Sequence, residues 1–434
     1  MPSRVILVVG TTPDYVVKLN KIYPEGLLFI TDSNFRDSPL LTEIPASALL
    51  FRPLGKGEEI LEGLAGTLSE SMCDPAGVAC FDCESLFLAS RLAKRLGLPF
   101  PSSESVLRAR NKIEAGRLWH ECGVPSPNAL LCSTPEEALE AFDRFNHSVV
   151  LKPLSGSGSE LVFHCTHKDE LDRALQTLQR ELPTRRSHAL FRPLAVPCSS
   201  EVLDPCSTWT VEEYIHGPEF SCDFVLEEGR AKVIRETGKL KAPDQTFGSV
   251  LAYLFPPLYP SGFSKEVLID WIERAAGALG FFWGHFMVDF MISEGLPVFI
   301  EMTPRPGGDS IPDLIRTAVG TDLLKFHLDF MSRRTGPYHG PGPVTGAFAS
   351  VNIFAPKQGI LRRLDTSRLS ALPWVREVFL KKAVGDRILL PPVCYDDRIL
   401  GHAVIALDSP DHLPLRASEI QGAVEISIED YGQL

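Results

Sequence analysis

"HFMVDFMISEGLPVFIEMT", residues 285–303, decides the fold. Two runs rich in β-branched and aromatic residues flank a turn, Ser293 to Pro297, centred on Gly295, and predict a β-hairpin. Pairing symmetric about Gly295 sets Asp289 opposite Glu301 and Met287 opposite Thr303. The alternate positions, Val288, Phe290, Ile292, Val298, Ile300 and Met302, are uniformly apolar and mark the core face. Two carboxylates facing each other across a hairpin repel unless something positive lies between them. A divalent cation meets that need, because Mg2+ takes one or two protein carboxylates and fills its remaining positions with water and phosphate oxygens. A Lys or Arg partner is the plainer alternative.

Working outward, "VVLKPLSGSGSELVFH" (149–164) places Lys152 at the end of an apolar strand, then a Ser/Gly alternation, then a second strand. Gly156 and Gly158 permit positive φ, and successive N–H groups in such a loop form a nest for phosphate oxygens, with Ser155, Ser157 and Ser159 as further donors. A plain hairpin turn is the alternative, and the spacing is neither a Walker A nor a Rossmann loop. In "VEEYIHGPEFSCDFVL" (211–226), Glu212 and Glu213 precede the apolar pair Tyr214 and Ile215, and Glu219 follows a Gly-Pro turn. Hinge backbone between two strands can meet a purine edge, and a nearby carboxylate can accept both ribose hydroxyls. Taken alone, three glutamates are a solvated face.

Upstream, "VILVV" (5–9), "GLLFITD" (26–32) and "GVACFD" (77–82) alternate with helical stretches such as "SLFLASRLAKRLG", stopped by Gly97. The pattern predicts a wound parallel sheet over 1–107. Its first loop, "GTTPD", has one glycine and so lacks a dinucleotide-binding fingerprint, which disfavours a nicotinamide oxidoreductase. A central region, 108–335, contains the motifs above and an aperiodic insertion at 183–210; "GPYHGPGP" (336–343) reads as a linker into a small α+β cap at 336–434. With 434 residues, 44% hydrophobic and 23% charged, the chain has ample core, and its net charge of -12 argues against nucleic-acid and anionic-membrane binding. Ten scattered cysteines read as reduced thiols, and Cys80 and Cys83 form a lone CxxC more consistent with buried cysteines than with zinc. The run "VILVV" is too short for a signal or a membrane span, so the expectation is a cytoplasmic protein.

Together these residues resemble the ATP-grasp superfamily, in particular its L-amino-acid (carboxylate-amine) ligases. "RNKIEAGRLWHECGVPSP" is similar to the family's entry helix with Lys112, "VVLKP" to the strand of its second lysine, "SGSGS" to its phosphate-covering loop, "VEEYIHGPEFS" to its adenine hinge and ribose glutamate, and "VDF...FIEMTPRPGG" to its metal hairpin. The resemblance implies an α/β and α+β protein with a Rossmann-like first domain, an ATP-grasp fold and a small C-terminal cap. It implies ATP and Mg2+ or Mn2+, with Lys112 and Lys152 on the phosphates and Glu213 and Ile215 meeting adenine through their backbone. Glu219 would bind ribose, Asp289 and Glu301 the metal, and Lys239 the terminal phosphate, unless it is an exposed loop lysine. Family members phosphorylate a carboxylate with ATP and let an amine, often of an amino acid, attack the acyl phosphate; a homodimer is left open.

Pro304 and Pro306 stiffen the chain that presents Arg305, whose planar fork suits a substrate carboxylate or an acyl phosphate, and Gly307 and Gly308 allow close approach. The sequence departs from the family where Thr303 replaces an amide metal ligand and Met287 a histidine, with His285 either sharing the Asp289 face or packed in the core. Those departures keep open a non-amine nucleophile and an ATP-binding scaffold without turnover.

Overall fold

A computed structural model describes residues 4–70, 73–196, 200–334 and 344–431. The apolar runs at the N-terminus form four parallel strands in the order Leu49–Arg52, Leu27–Asp32, Arg4–Val9, Asp74–Ala79. The helix expected before Gly97 spans Leu86–Leu96 and ends on that glycine at φ 67°, the left-handed cap that a Cβ would disfavour. Wound sheets bind ligands where strand order reverses. Here the crevice between Arg4–Val9 and Asp74–Ala79 holds the Asp82 carboxylate, which accepts N–H bonds from Thr11 and from Ser85 at 2.7 Å. A Cβ on Gly10 would lie 2.3 Å from that carboxylate, so the single glycine of "GTTPD" makes room for a side chain of the chain itself.

Two antiparallel sheets follow. The smaller orders its strands Ala129–Cys132, Trp209–Glu213, Val149–Pro153, Phe163–Cys165, so the Lys152 strand and the Ser/Gly loop form the expected hairpin, with Leu151 opposite Phe163. The larger has eight strands: Leu296–Thr303, Gly284–Ser293, Glu219–Glu227, Arg230–Lys241, Val250–Phe255, Ala347–Phe354, Ile399–Leu407 and Val375–Leu380. One face packs Phe220, Phe224, Phe286, Phe290 and Phe299 against Leu268, Ile272 and Leu279 of the helix Lys265–Leu279. The other face opens toward the smaller sheet.

This large sheet runs across the boundary expected at 336. Val250–Phe255 pairs with Ala347–Phe354, so three C-terminal strands extend the central sheet, while Arg387–Ile388, Gly359–Asp365 and Glu425–Glu429 form a separate antiparallel sheet. The expected linker at 336–343 lies outside the described residues. The 183–210 insertion is partly ordered: short 3-10 turns at Leu182–Arg185 and Ala189–Phe191 and a two-residue hairpin anchor it through buried Leu190, Phe191 and Leu194. Among the described residues no disulfide forms, and no helix is long and apolar enough to cross a membrane.

The hairpin of Asp289 and Glu301 pairs as expected at the end that carries them, though by a different route. The turn is Glu294–Gly295, with positive φ at both residues, and from Ser293 to Phe290 the partners lie one residue off symmetry about Gly295. A bulge between Glu301 and Phe299 absorbs the offset, restoring Asp289 opposite Glu301 and Met287 opposite Thr303. The core face therefore differs from the expected one. Phe299 is fully buried opposite Phe290, whereas Val298 faces Met291 and Ile300 turns toward the cavity.

Candidate active site

Between the two sheets lies a cavity of about 280 Å3. The smaller sheet contributes Lys152, the hinge residues Glu212, Glu213, Tyr214 and Ile215, and the loop residues Gly156, Ser157 and Gly158. The larger contributes Glu219, Lys239, Asp289 and Glu301, and Lys112 and Arg305 enter from the flanking segments. Residues expected from five separate motifs thus share one space. Ser155 and Thr303 do not. Both line a smaller adjoining cavity with Cys83 and Arg110, and the Ser155 hydroxyl is buried and donates to the Leu190 carbonyl of the insertion. The Ser155 hydroxyl is therefore committed to that carbonyl, and Thr303 shares the smaller cavity with Glu301.

The loop has less freedom than its composition suggested. Gly156 does not use the left-handed region, whereas Gly158 does (φ 66°), as do Ser159 and Leu161 (φ 57° and 56°). Ser159 Oγ donates to the Gly248 carbonyl at 3.2 Å, and the side chain of Leu161 is wholly buried. At the hinge, the Glu213 side chain accepts from the Asn128 backbone and amide nitrogens, each at 2.9 Å, which fixes the strand end. The Tyr214 ring stacks on His164 at 3.9 Å. Gly217 is held at φ 145°, and a Cβ there would lie 2.1 Å from the Ile292 carbonyl oxygen, so the turn before Glu219 requires glycine.

Ion pairs organise the charges. Buried Lys152 donates to Glu212 at 2.6 Å, so Glu212 orients this lysine. Lys239, on the strand Arg230–Lys241 and not in a loop, lies between Glu219 (2.8 Å) and Asp289 (2.7 Å). Burial disfavours its charge, but the two carboxylates outweigh that and hold it well above the usual lysine range. Burial would raise the Glu219 carboxyl, yet Lys239 and Lys241 together keep it below its ordinary value. Asp289 is raised, by burial first, with Lys239 opposing and Glu301 adding to the rise. Lys239 thus supplies the positive partner that the facing carboxylates need, while the other Asp289 oxygen, Oδ1, is buried without a hydrogen-bond partner. An orphaned carboxylate oxygen opposite Glu301 is a donor set that suits Mg2+. Among the described residues no group of three or more His, Cys, Asp or Glu side chains gathers into a larger metal site.

Three cations in the cavity wall have no carboxylate within ion-pairing distance among the described residues: Lys112, Arg305 and Arg398. Burial, aided by Lys152, lowers Lys112 to about 8. Arg305 donates from Nε to the Cys83 sulfur at 3.1 Å and from Nη1 to the Pro306 carbonyl at 2.9 Å. Burial opposes its charge, but Cys83 and Glu301 favour it more, so it stays firmly a cation. Asp309 does not pair with it; its carboxylate accepts from the Tyr253 hydroxyl at 3.0 Å.

The buried pair of Asp223 and Arg235 escaped sequence reasoning. Asp223 and Arg235 are fully buried and paired at 2.7 Å, and Asp223 also accepts the Gly307 N–H at 3.0 Å. A Cβ on Gly307 would lie 2.2 Å from Arg235 Nη2, so this cavity-lining glycine is required by its close approach to a buried ion pair. His285 is packed, 3.3 Å from His327 Nδ1, and burial, with Arg235 adding, lowers it to about 3. Cys83 of the CxxC reaches the site as the acceptor for Arg305, which no spacing signal could have announced.

Residues 145–313 match the family described as ATP-grasp domain. The chain is 27% identical over 381 residues to the uncharacterized protein y4rH of Sinorhizobium fredii, covering 86% of this chain and 73% of that one. It is 25% identical over 269 residues to the D-alanine–D-alanine ligase of Acidovorax ebreus, covering 57% and 73%. To human carnosine synthase 1 it is 26% identical over 256 residues, 56% of this chain but only 29% of that much longer protein. Its fold is similar to that of an L-amino acid ligase from Bacillus licheniformis, with a TM-score of 0.74 at 16% identity over 99% of this chain and all of the other. It is also similar, with a TM-score of 0.66 at 16% identity over 97% and 90%, to a Hydrogenobacter thermophilus biotin carboxylase domain solved with MgADP.

Proposed function

We propose that this chain, an ATP-grasp fold with the domain at 145–313, is an ADP-forming, ATP-dependent carboxylate-amine ligase. The observation that carries the reading is the inter-sheet cavity, where the facing pair Asp289 and Glu301 shares one space with Lys112, Lys152 and the unpaired guanidinium of Arg305. The hinge at Glu213–Ile215 takes adenine and Glu219 the ribose hydroxyls; Lys112 and Lys152 hold the phosphates under the loop, and Lys239 holds the terminal one. Asp289 and Glu301 hold Mg2+, which when bound neutralises phosphate charge. A substrate carboxylate oxygen attacks the terminal phosphorus, ADP leaves, and Arg305 faces the acyl phosphate. An amine then attacks the acyl carbon, phosphate departs, and the amine gives up its proton. Catalysis of this kind is mostly positioning and charge neutralisation. The relative named D-alanine–D-alanine ligase supports amino acids as substrates. We place the enzyme in the cytoplasm, with a homodimer as the assembly to test.

The test is phosphate release from MgATP across pairs of carboxylates and amines. Release that needs both substrates, and is abolished in Glu301→Ala, supports ligation. Wild-type protein that binds MgATP but releases no phosphate with any pair is a scaffold.

A further inference from the structure

Arg398 lies in the C-terminal segment, beyond the 145–313 domain, yet it lines the nucleotide cavity. Its side chain is almost wholly enclosed, the residue being 6% exposed. Its one hydrogen bond among the described residues is long: Nη2 donates to the Gly158 carbonyl at 3.3 Å, at the tip of the Ser/Gly loop. Nε and Nη1 are buried and have no acceptor. One face of the guanidinium lies 5.3 Å from the centre of the Tyr395 ring, and no carboxylate pairs with it among the described residues. A buried guanidinium with most of its donors idle is costly unless an anion completes it. Its contact with Gly158 ties it to the Ser/Gly loop, so Arg398 belongs to the phosphate end of the cavity.

We propose that Arg398 contacts the terminal phosphoryl group of ATP, opposite Arg305, and that the Gly158 carbonyl holds its place until nucleotide enters. This rests on the ATP-binding reading of the cavity but not on ligation. Phosphoryl oxygens accept a planar fork better than a neutral carbonyl does. The other anion that could fill the same space is the substrate carboxylate.

The experiment compares the affinity of Arg398→Met and Arg398→Lys for the magnesium complexes of a non-hydrolysable ATP analogue and of ADP, by calorimetry. A loss of at least tenfold for the ATP analogue in Arg398→Met, with ADP affinity unchanged and a smaller loss in Arg398→Lys, is the expected result; intact ADP binding also shows that the variants fold. Equal losses for both nucleotides would overturn the proposal in favour of a residue that only positions the Ser/Gly loop. Unchanged affinity for both would overturn it in favour of the substrate carboxylate as the anion. No step depends on turnover, so a failure of the ligase reading shows separately, as absent phosphate release.

Discussion

Arg305→Ala separates chemistry from folding more cleanly than any other change in the cavity. Among the described residues the guanidinium makes two hydrogen bonds, to the Cys83 sulfur and the Pro306 carbonyl, and pairs with no carboxylate. Its removal therefore orphans no buried acid, and the stability lost is that of a weak sulfur contact and one neutral acceptor, about 1 to 2 kcal/mol. Removing Arg235 is different, because it would strand Asp223, for which about 3 to 5 kcal/mol is the expected cost. If Arg305 neutralises charge on the acyl phosphate, its loss should lower turnover about a hundredfold or more, roughly 2.7 kcal/mol, the effect of deleting one preorganised donor at a developing anion. The assay pairs substrate-dependent phosphate release with urea denaturation and MgATP affinity. Turnover should collapse while ATP affinity and the urea midpoint move little. An Arg305→Ala protein as active as wild type would refute the reasoning, and one that loses stability and activity in proportion would make Arg305 a structural clamp between Cys83 and the loop after Thr303.

Lys112, lowered to about 8, gives a pH dependence of definite sign. If its charged form meets phosphate, as proposed, ATP affinity should be steady below that pH and fall as pH rises through it; Lys112→Arg, which stays charged, should flatten the profile, and an unchanged slope would remove Lys112 from the phosphate site. Gly307→Ala places a methyl 2.2 Å from Arg235 inside a fully buried pair and should cost about 3 kcal/mol or more in urea denaturation, whereas a change below about 0.5 kcal/mol would mean that the pair can shift.

How much of this could be read in advance depended on the kind of signal. Asp289 and Glu301 were legible because a strand's period of two exposes any carboxylate that breaks an apolar alternation. The bulge at Ile300 was not, since an inserted residue leaves the apolar composition unchanged while exchanging which of Phe299 and Ile300 faces the core. Lys152 could be found at a strand end, but its partner Glu212 belongs to a different strand, and only the register Val150–Glu212 brings them together. Asp223 and Arg235 each look like an ordinary strand charge, and their burial is a property of two sheets' packing. Arg398 belongs to no motif and Cys83 to one with no link to the site, and only the tertiary path of the chain delivers them to the cavity.

The continuous eight-stranded sheet limits the modularity of the molecule. The family match ends at 313, but the backbone edge of Val250–Phe255 is satisfied by Ala347–Phe354, which lies beyond that point. Cutting the chain after the matched segment would bare a row of unpaired N–H and C=O groups along an apolar strand, an invitation to intermolecular pairing. The segment that evolution reuses as a family is here not a separable folding unit, and transplanting its chemistry onto another scaffold would require carrying the C-terminal strands along.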